Sequence, residues 1–366
     1  MSPGVISMNN KTYLHYVHSF RGFAILNIVA IHAIAFALIL PVDFIPDTTA
    51  PLYVLNETLF HDSTLYFALI SGLLFSSILQ ARGYRRFYRS KLLYVVSPYI
   101  FCTVVFSLVR WNSQGTGLLA LPSGVQDYLA SIWPNLLRGE AQFTYWYIPV
   151  LLFLFAITPL LSRLARASGY AAAPAWLIML LPLAFSRPEF REGVGQLTAG
   201  TLIYFTGAYT VGLYLGQNLE LRLDCIARWR NPLLALAIVT TVALAALQFA
   251  GINRFGSFSL QESLFYVQKL CLAAIILLWL RSRLEHQPRW LTVFANEAFS
   301  IYFLHIFFIL LLGELFWTLL RDPAWQPLSG YLAGPVYFLF ALFMSMLLIH
   351  LLRALLGRHS RVLVGS

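Results

Sequence analysis

Apolar positions along the chain gather into long blocks separated by short polar breaks. A run of about 20 apolar residues is long enough to cross the hydrocarbon core of a bilayer as a helix. Ten such runs can be marked, at roughly 20–40, 63–80, 92–110, 143–162, 170–186, 198–216, 232–250, 263–280, 294–320 and 332–356. The pattern predicts an all-α, polytopic membrane protein with about ten transmembrane helices. The stretch 117–137, GLLALPSGVQDYLASIWPNLL, is shorter and is interrupted by Pro122 and Pro134. It reads as an interfacial or re-entrant element.

Composition agrees with this pattern. The 366 residues are 59% hydrophobic and only 11% charged, whereas a soluble domain is about half apolar and a quarter charged. The basic pI of about 9.6 does not point to nucleic acid, because the charges lie between apolar blocks and not on one soluble module. An even number of spans puts both termini on one side. Seventeen of the Lys and Arg residues fall on that side. Seven fall on the other: Arg110, Arg138, Arg187, Arg191, Arg254, Lys269 and Arg321. The bias places both termini in the cytoplasm. The first 18 residues are too polar for a cleavable signal peptide. No internal repeat or low-complexity linker divides the chain, so residues 1–366 read as a single membrane domain with no fused soluble domain.

Candidate chemistry begins in FRGFAILNIVAIHA, Phe20 to Ala33, an apolar run carrying an arginine and a histidine. Arg21 and His32 are 11 residues apart, about 20° past three full turns, so they share a helix face about 16 Å apart along the axis. His18 lies on the same face. Polar groups at that depth are costly unless paired or facing a wet cavity. His32 is either a neutral core histidine bonded to a neighbouring helix or a general base. Arg21 is either a snorkelling anchor or an anion contact at the mouth of a site. The loop ARGYRRFYRSK brings Arg85, Arg86, Arg89 and Lys91 together. It is either the orientation signal itself or a phosphate clamp. Ser71 and Gly72 are a small pair that permits close helix approach. Eight histidines include no HxxxH pair, and three scattered cysteines form no CxxC, so no metal site is expected.

These pieces together resemble the acyltransferase type 3 family of membrane acyltransferases. RGFAILNIVAIH resembles its first-helix signature, arginine followed by ten residues and histidine. LYFALISGLLF resembles its helix ending in Ser-Gly, and YRRFYRSKLLYVVSPY its basic loop leading to a helix-opening proline. TYWYIPVLLFLFAITPLL, Thr144 to Leu161, resembles its Trp-x-x-Pro helix, and AFSIYFLHIFFI, Ala298 to Ile309, its late Ser-x-Tyr-x-x-x-His helix. The resemblance implies transfer of an acyl group, usually from acetyl-coenzyme A, to a hydroxyl of a sugar or other cell-envelope molecule at the bacterial inner membrane. It implies that His32 is catalytic with Arg21 as its partner. Two departures stand out: Tyr94 occupies a place, four residues before Pro98, near which many members carry an arginine, and no extracytoplasmic hydrolase domain is fused to the chain. This layout is closer to the fucose-acetylase-like branch of the family.

On this reading the donor side comprises Arg85, Arg86, Arg89, Lys91 and Ser71. The acceptor-side candidates are His61, Asp62, Glu140, Tyr145, Trp146 and His305. Acetyl-coenzyme A is expected as the acyl donor with no tightly bound cofactor, a saccharide or lipid-linked saccharide as the acceptor, and the lipid bilayer as the surrounding partner. A homo-oligomer stays open. The competing reading is a transporter or flippase of an anionic envelope precursor. That class should show related halves or matched broken helices, and neither is visible in the sequence.

Overall fold

The computed structural model describes residues 9–39, 47–111, 119–185, 187, 197–252, 258–283, 286–316 and 326–365. The chain is helical almost throughout. α1 (Asn9–Ile39) is followed by α2 (Pro51–Phe60) and α3 (Thr64–Leu74), then α4 (Tyr84–Lys91) and α5 (Ser97–Phe106). Next come a two-residue antiparallel ribbon, β1 (Arg110–Trp111) with β2 (Leu119–Ala120), and α6 (Val125–Arg138). The remaining helices are α7 (Tyr147–Arg166), α8 (Ala173–Leu180), α9 (Ala199–Gln217), α10 (Leu219–Arg228), α11 (Arg230–Ala250), α12 (Leu260–Ser282), α13 (Arg289–Asn296), α14 (Ala298–Leu315), α15 (Gln326–Leu356) and α16 (Ser360–Leu363).

Among the described residues, eight helical stretches are long and apolar enough to cross a membrane: His15–Ile39, Pro51–Arg82, Tyr84–Phe106, Tyr147–Arg166, Arg230–Ala250, Leu260–Ser282, Ala298–Leu315 and Tyr331–Leu363. The other two expected runs differ for physical reasons. The run at 170–186 is a shorter apolar stretch, Gly169–Leu183. α9 has 19 residues but is rich in Gly, Thr and Tyr. It can be so because it faces protein: Tyr204, Phe205, Ala208, Tyr209 and Leu213 are fully buried against its neighbours. In contrast, α11 and α15 turn Leu234, Ile238, Val242, Leu339, Phe343 and Leu351 outward, as lipid-facing helices do.

α1 is the central post. Phe20, Ala24, Ile25, Ile28, Val29, Ala33 and Ala37 are all buried, and α1 packs on α13, α14 and α15. Gly22, beside Arg21, is what lets α13 approach, since any Cβ there would collide with the Leu291 carbonyl. α3 and α9 cross through a reciprocal pair: a Cβ on Gly72 would strike the Tyr209 carbonyl, and one on Gly212 the Leu69 carbonyl. The close approach expected of the Ser71-Gly72 pair is therefore present, and its partner is α9. Small residues at such crossings let backbones touch where no hydrophobic force separates helix from lipid.

α6 occupies most of the stretch 117–137, which the sequence reads as interfacial or re-entrant, and it is amphipathic. Val125, Leu129, Trp133 and Leu137 recur every fourth residue and are exposed. The opposite side is pinned to α5: Tyr99 Oη donates to the Leu136 carbonyl at 2.7 Å, and Asn135 Nδ2 donates to Ser107 Oγ at 2.9 Å. The charge tally needs one correction. Lys269 is not a loop cation; it is the tenth residue of α12 and is fully buried. Of the other charges in that tally, Arg191, Arg254 and Arg321 lie outside the described residues.

Gly212→Val tests the α3–α9 crossing. Overpacking of this kind costs about 1–3 kcal/mol, and more when the clash is with backbone. The expected result is a clearly lowered thermal unfolding midpoint in detergent. An unchanged midpoint would show that the two helices do not depend on this contact.

Candidate active site

α1 and α14 run side by side, and each contributes one histidine to the same point. The rings of His32 and His305 stack with centroids 5.2 Å apart, and His32 Nδ1 lies 3.0 Å from His305 Nε2. His305 Nδ1 lies 2.9 Å from the Ile301 carbonyl, one turn back on its own helix. A carbonyl only accepts, so His305 Nδ1 carries a proton. A neutral His305 then has a bare Nε2, which must accept from His32 Nδ1–H. The remaining nitrogen of His32, Nε2, is left with a free lone pair. An imidazole whose orientation and tautomer are set by a second group is an arrangement that acid–base chemistry can use. Phe143 meets the His32 ring edge-on at 5.8 Å, and His305 is fully buried while His32 keeps some accessible surface.

One turn before His305 on α14, Tyr302 has its ring 6.2 Å from the histidine and lines a cavity of about 610 Å³. The walls of this cavity come from α1 (Arg21), α3 (Ser71), the end of α4 (Lys91), Tyr94, α7 (Tyr147), the start of α14 (Glu297 and Phe299), α15 (Arg353) and the segment at Arg361. Four cations thus face one carboxylate, and that carboxylate is already engaged: Arg353 Nη2 donates to Glu297 Oε1 at 2.6 Å. Among the described residues no acid lies within ion-pair distance of Arg21. Such an excess of cations in a walled space favours a polyanion. His18, on the same face of α1, is tied to Asn296 at 3.0 Å and extends the link to α13.

A second polar cluster lies at the other end of the bundle. Arg187 pairs with Asp62, donates through Nε to Glu262 Oε2 at 2.5 Å, and donates through Nη2 to His61 Nε2 at 3.0 Å. His61 Nδ1 faces Glu57 Oε2 at 2.9 Å, and Tyr204 Oη donates to Asp62 Oδ2 at 2.6 Å. Asp62 takes a left-handed conformation, φ 61°, at the break between α2 and α3. Lys269 Nζ donates to the Leu59 carbonyl at 2.7 Å, covering the end of α2. His61, Asp62 and Glu262 present ligand atoms within 4.8 Å of one another, as a metal site would. The Arg187 guanidinium reaches all three. Burial opposes its charge, but the Asp62 and Glu262 carboxylates outweigh that and hold its pKa above the ordinary arginine value.

The expected site residues therefore separate. His32 and His305 come together, although His305 was grouped with the acceptor side. Arg21, Ser71 and Lys91 share the cationic cavity. Arg85, Arg86 and Arg89 do not line it; α4 buries Phe87 and turns Lys91 inward, so the three arginines are exposed. His61 and Asp62 join the second cluster. Glu140 is exposed, 3.8 Å from Arg138. Tyr145 is fully buried and donates to the Phe303 carbonyl at 2.8 Å, so it braces α14; Trp146 packs on Phe205 at 5.7 Å. The sequence reading passed over Arg187, Glu262 and Lys269 at one end and Arg353 and Arg361 at the other. Lys269 carried its own signal, a cation inside an apolar run.

Residues 14–353 match the model of the acyltransferase 3 family (Acyl_transf_3), described as "Acyltransferase domain". The chain belongs to this acyltransferase family. It is also 22% identical over 313 residues to the Bacillus subtilis (strain 168) protein named "Putative membrane-bound acyltransferase YfiQ", covering 80% of each chain. No solved structure matches the chain. For a membrane-bound acyltransferase, the histidine pair beside a cationic cavity is where the family's chemistry would be sought.

Removing one partner of a buried ion cluster leaves an uncompensated charge and costs about 3–5 kcal/mol. Arg187→Ala is therefore expected to destabilise the protein strongly, read as a fall in the detergent unfolding midpoint. Arg85→Gln, outside both clusters, should leave that midpoint unchanged. Equal midpoints for the two variants would remove the second cluster from the stability of the fold.

Proposed function

We propose that the protein is an inner-membrane O-acyltransferase that moves an acyl group, most simply acetyl from acetyl-coenzyme A, to a hydroxyl of a cell-envelope or exported saccharide. The observation that carries this reading is the bonded chain Ile301 carbonyl, His305, His32, in which a neutral His305 puts the lone pair of His32 on Nε2. The family membership supplies the reaction class, and the cationic cavity supplies the reason for a phosphate-bearing donor.

In this reading the Arg21 end faces the cytoplasm, where coenzyme A thioesters are found. Arg21 and Lys91 receive the donor's phosphates. The pantetheine arm then runs along α1 past Tyr302, covering the separation of about 16 Å between Arg21 and His32. His32 Nε2 takes the proton of the acceptor hydroxyl as its oxygen attacks the thioester carbonyl carbon. The C–S bond breaks, the ester forms, and the departing thiolate takes the proton back from His32 Nε2–H. His305 accepts from His32 Nδ1–H throughout and steadies the imidazolium that forms in between. It acts as a positioning residue. In a variant of this scheme His32 Nε2 itself attacks the thioester carbonyl carbon, and the C–S bond breaks with release of the thiolate. The acceptor hydroxyl then attacks the acyl-imidazolium, freeing His32 while the hydroxyl proton goes to the thiolate. The exposed Arg85, Arg86 and Arg89 fit the anionic headgroups of the surrounding leaflet better than a closed phosphate site.

Purified protein incubated with radiolabelled acetyl-coenzyme A and no acceptor distinguishes these routes. Label on the wild type that is absent from His32→Ala supports the acyl-histidine route. Slow thioester hydrolysis that needs His32 supports direct transfer. Turnover that survives His32→Ala would refute the base assignment, since loss of a general base costs about 10²–10⁴-fold.

The role of His305 makes a separate prediction. His305→Leu should lower kcat by about 10–100-fold, in line with other orienting partners, with KM for the donor little changed. His305→Gln, whose amide oxygen can still accept from His32 Nδ1–H, should recover part of that loss. Equal activity of the two variants would mean that His305 only fills space.

A further inference from the structure

α15 ends at Leu356, and the chain turns back through Gly357 in the left-handed conformation, φ 53°. Ser360 Oγ closes the turn by donating to the Gly357 carbonyl at 2.8 Å. The following turn, α16, lies against α5 and the turn Leu92–Val96 that precedes it. Ser360 and Val364 are both buried. Gly365 reaches the cavity wall beside Phe299. This segment is thus anchored on the bundle by Ser360 and Val364, although it follows the last long apolar helix.

Its cation is Arg361, an exposed residue at the rim of the cavity. The guanidinium carbon stands 4.4 Å from the centroid of the Tyr94 ring, and both residues line the cationic cavity. A guanidinium stacked on an aromatic face is held in one plane while its N–H edge stays free, the geometry suited to a phosphate oxygen. Tyr147, also in the wall, is 2% exposed, and its hydroxyl has no hydrogen-bond partner.

We infer that the segment Ser360–Gly365 is a wall of the donor site and that Arg361, seated on Tyr94, is an anion-binding residue for the donor's phosphates. The inference rests on the proposed use of the cavity by a coenzyme A thioester. Three cations from separate parts of the chain, Arg21 on α1, Lys91 on α4 and Arg361 beyond α15, then converge on one polyanion. Donor binding thereby couples the first and last helical segments. Tyr94 acts through Arg361 as its platform.

Binding of coenzyme A itself to detergent-purified protein, measured by calorimetry, tests this without turnover. Arg361→Gln is expected to weaken binding by about tenfold or more and to reduce its salt dependence. Tyr94→Leu should weaken it similarly, and Tyr94→Phe, which keeps the ring, should bind like the wild type. Hydrogen–deuterium exchange on the unmodified protein adds a readout that no folding defect can confuse: amides of residues 360–365 should slow when coenzyme A is added. Wild-type affinity in Arg361→Gln, or unchanged exchange in that segment, overturns the inference and leaves the donor reading standing. Failure of the wild type to bind coenzyme A overturns both.

Discussion

A charge carried into an apolar helix bundle has to be met by another charge, by hydrogen bonds or by water, and the cost of failing is several kcal/mol per group. That requirement organises both ends of this molecule, and the two ends meet it in opposite ways. Around Arg187 the chain supplies its own counter-charges: Asp62, Glu262 and the accepting nitrogen of His61 surround one guanidinium, and Tyr204 completes Asp62. Nothing further is needed there. Around Arg21, among the described residues, the chain supplies cations in excess, and the one carboxylate in the wall, Glu297, is bonded through Oε1 to Arg353. The first end is closed in itself; the second leaves its cations, among the described residues, with less counter-charge, which is the observation behind the proposed anionic donor.

Helix packing serves that contrast. Gly22 and the Gly72–Gly212 pair bring backbones together beside the charged residues, so that Arg21 and Ser71 are carried on helices held in contact with α13 and α9. Tyr145 and Tyr302 then fix α14 to the loop before α7, through the Phe303 and Thr144 carbonyls respectively. α14 is thereby held on one side by α1 and on another by this loop, which keeps His305 in register with His32.

Much of this was legible in the sequence, and the boundary of legibility has a physical explanation. The apolar runs announce spanning helices because the bilayer imposes a fixed length. The spacing of Arg21 and His32 announces a shared face because the helix imposes a fixed period. The amphipathic break at 117–137 announces α6. What one-dimensional patterns do not carry is which helix lies next to which. His305 reads in the sequence as an acceptor-side residue on a distant helix, and only the contact of α1 with α14 makes it the partner of His32. Arg187 counts in the sequence only as a charge between spans for the same reason. Arg85, Arg86 and Arg89 show the other direction: a basic loop reads either as an orientation signal or as a phosphate clamp until the face of α4 is known, and the burial of Phe87 turns these three away from the cavity. α9 escaped the apolarity rule because a helix surrounded by protein has no need to resemble lipid.

The hydrogen bond from His305 to the Ile301 carbonyl has a consequence for how protons move. A wire of histidines can relay a proton only if its far end has somewhere to send it. Here the far end is a helix carbonyl, which can accept a hydrogen bond but cannot take up a proton and pass it on. The wire is a dead end. A proton that enters at His32 Nε2 has to leave by the same nitrogen, so the group that gives it up and the group that receives it must visit one position in turn. On the proposed role of His32, the proton removed from the acceptor is therefore the same proton delivered to the leaving group, held between the two steps on a single nitrogen.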